Sequence, residues 1–227
     1  PGEVHILAGE NGAGKSTLIK ILAGVYPDFE GEIEIDGKTV HPRSPQEATA
    51  LGIAVIHQEL SLVPSMTVAD NIFLGRSITR RGFVQNALQK TESRRVLGLL
   101  GLDLDVDQPL ETYPIAIQQL VEVAKAMSIQ AKVIIMDEPT SALNAPEVQK
   151  LFRLIAELKA KGYGIVYITH RMEEIEEIAD RISVLRDGQY IGTALAVELP
   201  MPKLIQWMVG REMEQHFPRH LPHIGED

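Results

Sequence analysis

Three glycines, at 9, 12 and 14, stand directly ahead of Lys15, Ser16 and Thr17 in the stretch GENGAGKST. Residues without side chains let backbone N–H groups curl around an anion, and a helix that begins there aims its positive end at the same spot. Lys15 adds a mobile cation for phosphate oxygens, and Ser16 supplies a hydroxyl for a magnesium ion. The spacing Gly9-x-x-x-x-Gly14-Lys15-Ser16 is the Walker A pattern of triphosphate-binding loops. The expected phosphate cradle is therefore Gly9, Glu10, Asn11, Gly12, Ala13, Gly14, Lys15, Ser16 and Thr17. Much further along, Asp137 and Glu138 stand side by side after the apolar run Val133–Met136. Neighbouring carboxylates at a strand end repel each other unless a cation is present. Asp137 is expected to hold magnesium through water, opposite Ser16, and Glu138 to polarise the water that attacks the terminal phosphate. The plainer alternative for Glu138 is a helix-start residue after a turn.

Two further polar residues follow apolar segments. His170 comes after Gly164–Thr169 and could sense the terminal phosphate by hydrogen bonding. Gln58 comes after Ile53–His57, where a neutral amide can touch the metal or the water without adding charge. Taken singly, His170 reads as a capping or packed residue and Gln58 as a surface-loop residue. Taken together with Lys15 and Asp137, they mark four strand ends that could meet at one place.

Those ends must be supplied by a sheet. Val4–Ala8 is a short buried strand, and Leu18, Ile19, Ile21 and Leu22 recur at helical spacing behind the glycines. Gly31–Asp36 alternates apolar and acidic residues before an Asp36–Gly37 turn, which predicts an exposed antiparallel strand. Thr67, with Asp70 three residues on, caps a helix through Asn71–Leu74. From about Gly75 to Met127 strands vanish and helical periodicity takes over. Val133–Met136 reads as a strand buried on both faces. Asn144 and Pro146 cap and start a helix with one stripe of Val148, Leu151, Phe152, Ile155 and Leu158. Gly164–Thr169 is another buried strand, and Ile182–Leu185 leads to an Asp187–Gly188 turn. Such alternation argues for an α/β fold, with ligands gathered at the carboxyl ends of the strands. The expected architecture is a P-loop NTPase with a mostly parallel core sheet, an antiparallel β subdomain and an inserted helical subdomain over about 75–130. The domain spans 1–210. Residues 211–227, with three His and two Pro, read as a linker or tail.

The bulk properties narrow the function classes. At 227 residues and 44% hydrophobic, the chain can bury a substantial core. A net charge of −9 argues against a general nucleic-acid binder. No apolar run approaches the roughly 18 residues that cross a bilayer, so a membrane role would be peripheral. Cysteine is absent, which excludes disulfides and thiolate metal sites and fits a reducing cytoplasm.

In combination, the Walker A stretch at 9–17, Gln58 in VIHQEL, MDEPTSAL at 136–143 and ITHR at 168–171 resemble the ATPase domain of an ABC transporter. QQLVEVAKAM (118–127), GIVYITHRMEEI (164–175) and MVGRE (208–212) are similar to the first half of the tandem ATPases of bacterial monosaccharide importers. The resemblance implies ATP and Mg2+ as cofactors and Ser16, Gln58 and Asp137 around the metal. It also implies a helical segment that touches membrane permease subunits on the cytoplasmic face of the cell membrane. A second ATPase domain would close around two ATP molecules, each held between one unit's Walker motifs and the other's signature loop. A periplasmic solute-binding protein would be an indirect partner. The resemblance further implies that this chain lacks the family's first strands and its adenine-stacking aromatic residue.

Two departures from the family pattern stand out. The signature LSGGQ should precede QQLVE, where this chain has Tyr113–Pro114–Ile115–Ala116–Ile117. Proline replaces the serine, both glycines are gone, and proline brings no N–H. Asn144 replaces the Asp usual after Walker B, with its capping role intact. The leading expectation is an ATP-hydrolysing subunit that drives sugar uptake through a separate permease. The alternatives are a soluble ABC-type ATPase without a permease and a nucleotide-binding half with little hydrolysis of its own. Co-purification with a hydrophobic permease separates the first two.

Overall fold

The sheet follows from alternation that is apolar on both faces. A computed structural model describes residues 2–58, 61–129 and 131–210; the tail expected over 211–227 lies outside them. The chain opens with β1 (Glu3–Ala8), then α1 (Lys15–Leu22), β2 (Ile33–Ile35), β3 (Lys38–Val40), α2 (Pro45–Ala50) and β4 (Ile53–Ile56). Next come α3 (Val68–Ile72), β5 (Thr79–Arg80), β6 (Phe83–Val84), α4 (Asn86–Leu99) and α5 (Ile115–Ser128). The remainder is β7 (Val133–Asp137), α6 (Ala145–Ala160), β8 (Gly164–Ile168), α7 (Met172–Ile178), β9 (Arg181–Arg186), β10 (Gln189–Leu195) and α8 (Met201–Val209).

The core sheet has six strands in the order β10-β9-β1-β8-β7-β4. All neighbours are parallel except β10, which runs antiparallel to β9 at one edge. This is the mostly parallel core expected from the alternation of strands and helices. Period-two alternation sends Val4, Ile6, Ile134, Met136, Ile165 and Tyr167 to one face, where α3, α5 and α6 pack. Leu7, Ile135 and Ile168 point the other way, onto Ile19 of α1 and Ala48 of α2. Both faces are covered, so β4, β8 and the Val133–Met136 stretch of β7 read as unbroken apolar runs. β2 and β3 form the separate antiparallel pair expected around Asp36–Gly37.

The expectation that strands vanish between Gly75 and Met127 needs correction. β5 and β6 form a small hairpin, Thr79 opposite Val84 and Arg80 opposite Phe83. Arg81 and Gly82 turn it with φ of 54° and 83°, the left-handed pair that a two-residue hairpin demands. Strands of two residues are too short to register as alternation. The helices α3, α4 and α5 do pack on one another there, around buried Ile72, Leu97 and Val121.

The predicted cap at Asn144 is present as a reciprocal box. The Glu147 N–H donates to Asn144 Oδ1 at 3.1 Å, and the Asn144 N–H donates to Glu147 Oε2 at 2.9 Å. Removing this cap with Asn144→Ala should cost about 1 kcal/mol in urea unfolding, and Asn144→Asp should cost close to nothing. Equal losses for the two variants would show that the cap is not what stabilises α6.

Candidate functional site

The parallel register brings the ends of β1, β8, β7 and β4 to one edge of the sheet: Leu7 and Asp137 both pair with Ile168, and Met136 pairs with Ile56. The loop after β1 is shaped by close approach and by backbone handedness. A Cβ on Gly9 would lie 2.4 Å from the Leu185 carbonyl oxygen at the end of β9. Gly14 caps α1 with φ 99°, a left-handed conformation that is strained for any residue with a side chain. The turn between β9 and β10 supports the loop from outside, where the Gly188 N–H donates to Ala13 O at 3.2 Å.

Lys15 is buried, and its Nζ donates to Gly9 O at 2.8 Å and to Glu10 O at 3.0 Å. Burial lowers its pKa, while the charges of Glu138 and Asp137 act to raise it. Burial likewise pushes Asp137 up, reinforced by Glu138 and opposed by His57 and Lys15. The Lys15 ammonium and the Asp137 and Glu138 carboxylates therefore act on one another within one site. Residues 11–17, with Gln58, Asp137 and Glu138, line a single cavity of about 300 Å³. Ser16 and Thr17 sit at the exposed start of α1, and Gln58, also exposed, lines the same cavity. Among the expected cradle residues, Gly9 and Glu10 stand behind this wall and present carbonyls to Lys15.

Glu138 is held in the left-handed region at φ 44°, and its N–H donates to Ile168 O at 3.1 Å. A non-glycine residue in this conformation costs about 1–3 kcal/mol and persists only where the surroundings impose it. The result turns its carboxylate toward His170, with Oε1 2.9 Å from Nδ1. His170 does not line the cavity itself. It lies in the hollow alongside, with Glu10, Asn11 and Met172, and reaches the site through Glu138.

One residue with no motif is essential to this layout. Asn71 is fully buried in α3, where its Oδ1 accepts from the Val63 N–H at 2.7 Å. Its amide donates to the carbonyls of Val63, Met66 and Thr67. It therefore ties the segment that follows Gln58 to the helical part of the chain. The only signal in the sequence was a polar residue amid the apolar positions of α3.

A glycine-rich phosphate loop between a buried strand and a helix, facing two strand-end carboxylates, defines a P-loop nucleotide-binding domain. Residues 1–141 match the ABC transporter family, and the chain belongs to it. It is 50% identical, over its whole length and 46% of the relative's, to a ribose import ATP-binding protein of Geobacillus kaustophilus. It is 51% identical, over 99% of its length and 44% of the relative's, to a putative ribose/galactose/methyl galactoside import ATP-binding protein of Halalkalibacterium halodurans. The chain thus spans a little under half the length of these curated relatives. Among solved structures it is similar to an ATP-binding cassette of an ABC transporter in its ADP conformation, with TM-score 0.77 and 26% identity over 92% of this chain and 89% of that one. It also resembles a dimeric post-hydrolysis cassette bound to ADP and Pi, with TM-score 0.71 and 25% identity over 86% of each chain.

Proposed function

We propose that this chain binds and hydrolyses ATP and so energises import of a sugar or related small solute through a separate membrane permease. The observation that carries the reading is the convergence of Lys15, Ser16, Gln58, Asp137 and Glu138 on one cavity, with His170 paired to Glu138. In this reading residues 9–17 cradle the phosphates, Lys15 leaves the loop carbonyls for the outer phosphate oxygens, and α1 turns its positive end toward them. Ser16, Gln58 and Asp137 would hold Mg2+. The donor set fits it, being a hydroxyl, an amide and one carboxylate with room left for phosphate oxygens and water. Among the described residues there is no cluster of three or more His, Cys, Asp or Glu of the kind other metals favour. Bound magnesium would neutralise charge on the outer phosphates. Glu138 accepts the proton of the attacking water, and His170 orients the Glu138 carboxylate.

The solute class rests on the relatives' names, which specify ribose, galactose and methyl galactoside import. The whole of 1–210 acts in this reading as one ATPase domain, with residues of about 75–130 as the helical part that meets the permease. A groove of about 290 Å³ supports that assignment. It runs between Ala48, Ile53 and Val55 of the core and Arg76, Glu122 and Lys125 of the helical part, beside the His57–Gln58 segment. Movement of a partner in this groove would be felt at Gln58. Among the described residues no helix is long and apolar enough to cross a membrane. In this reading the permease supplies the passage, and this chain sits against its cytoplasmic side. A periplasmic solute-binding protein would deliver the cargo. The test is ATP-dependent uptake of labelled ribose and galactose into vesicles that hold the permease and the full-length protein. Uptake that continues without the ATPase, or ATPase activity that permease never affects, overturns the reading.

The relatives' length and the dimeric neighbour support a second ATPase domain as partner. The two ATP sites should then be unequal. Pro114 is the cap of α5 and makes no side-chain cap bond, and Ile115 beside it is 42% exposed. This helix start offers neither a hydroxyl nor the close backbone approach that glycine allows. The site it completes should bind ATP and turn it over slowly, while the site built on Lys15 and Glu138 takes its signature from the partner. Single-turnover hydrolysis by the full-length protein should show a fast and a slow phase of similar amplitude. A single fast phase that consumes both nucleotides would remove the asymmetry.

A further inference from the structure

Glu174 is the most densely bonded buried carboxylate near the site, and no motif reading gave it a role. It lies in the first turn of α7 and is only 3% exposed. Its Oε1 accepts from Thr140 Oγ1 at 2.6 Å and forms an ion pair with Arg171, whose Nη1 stands 2.9 Å away. Its Oε2 accepts from Thr169 Oγ1 at 2.8 Å and from the Tyr167 hydroxyl at 3.0 Å. Burial, and then the Glu174 charge, push the Tyr167 phenol well up, so it stays a donor. The Arg171 N–H donates in turn to Thr169 Oγ1 at 3.0 Å.

Apart from Tyr167, which lies in β8, these partners lie on two different loops. Thr140 is two residues beyond Glu138, in the turn closed by the Ser141 N–H on Glu138 O. Thr169 and Arg171 flank His170. Burying a carboxylate is costly, and an apolar side chain of similar volume would stabilise such a place as well or better. What an apolar residue could not do is fasten both loops at once, with directional bonds to each. We propose that Glu174 is a positioning residue for hydrolysis: it clamps the loop that carries Glu138 to the loop that carries His170, and so sets the contact between them. This rests on the reading that Glu138 and His170 act on ATP.

The experiment is a double-mutant cycle in the full-length protein. Glu174→Gln keeps the shape but loses the charge held by Arg171 and faces one donor with another. It should lower kcat by roughly ten- to a hundredfold, the scale of a misplaced catalytic group, with KM for ATP within about twofold of wild type. Added to Glu138→Gln it should lower the residual rate no further, because the group it positions no longer works as a base. Thr140→Val, which removes one tie and keeps the volume, should give a smaller loss of the same kind and serves if Glu174→Gln does not fold. An unchanged kcat, or an equal loss in the Glu138→Gln background, overturns the inference and leaves the ATPase reading standing. A wild-type protein that does not hydrolyse ATP overturns both.

Discussion

Glu138→Gln in the full-length protein should trap ATP rather than lose it, with turnover lower by roughly a hundredfold or more, within the range of a lost general base. The amide keeps the shape of the carboxylate, so the backbone at φ 44° and the N–H bond to Ile168 O have no reason to change. An amide oxygen can also replace Oε1 opposite His170 Nδ1, where the carboxylate stands at 2.9 Å. What is lost is the ability to take a proton from water. Phosphate contacts from the Walker A loop are untouched, so ATP affinity should hold or rise, and a nucleotide-bound closed form should accumulate. Rapid filtration with labelled ATP, beside single-turnover hydrolysis, measures both quantities. Hydrolysis near the wild-type rate would mean that the base lies elsewhere and that Glu138 serves the turn.

The second large effect is expected at Lys15. Lys15→Ala should weaken Mg-ATP binding by roughly ten- to a hundredfold, the scale of a hydrogen bond to a charged group. The ammonium donates to Gly9 O and Glu10 O, bonds it can exchange for bonds to phosphate oxygens. Its removal also leaves Asp137 and Glu138 facing the phosphates with no protein cation between them, which adds repulsion to the lost contact. The fold should tolerate the change, since burial already disfavours the charged form of this lysine. Shortening Lys15, which lines the cavity, opens a path for water to the two carbonyls it leaves. Isothermal titration with Mg-ATP, with a thermal melt as control, tests the claim. Equal affinities for the two proteins would remove the phosphate-loop assignment.

The parts of this site legible in the sequence are those set by local conformation. Gly14 must be glycine because α1 begins from a left-handed residue, and that demand is written at one position. Asn144 and Glu147 are three residues apart, so their box needs no knowledge of the rest of the chain. The runs Val133–Met136 and Gly164–Thr169 announce buried strands by composition alone. Parallel strands joined through helices then put their carboxyl ends on one edge, which is why the sequence alone points Lys15, Gln58, Asp137 and His170 to one place.

Tertiary structure decided what depends on partners distant in the chain. In sequence, Gly9 reads as the first glycine of the phosphate loop, and only the fold shows that its lack of a side chain also answers to Leu185 O on a neighbouring strand. His170, expected to sense the terminal phosphate, has its side chain against Glu138, 32 positions earlier, a contact that no spacing in the sequence announces. In MEEIEEI, Glu174 is one acidic residue among several and reads as part of a solvated face. Only the packing of α7 under two loops turns it inward, onto hydroxyls from Thr140, Tyr167 and Thr169. A spacing motif records the conformation that a short segment must adopt by itself. The direction of a buried side chain is set by which other segments the sheet order brings beside it, and that order is a property of the whole chain.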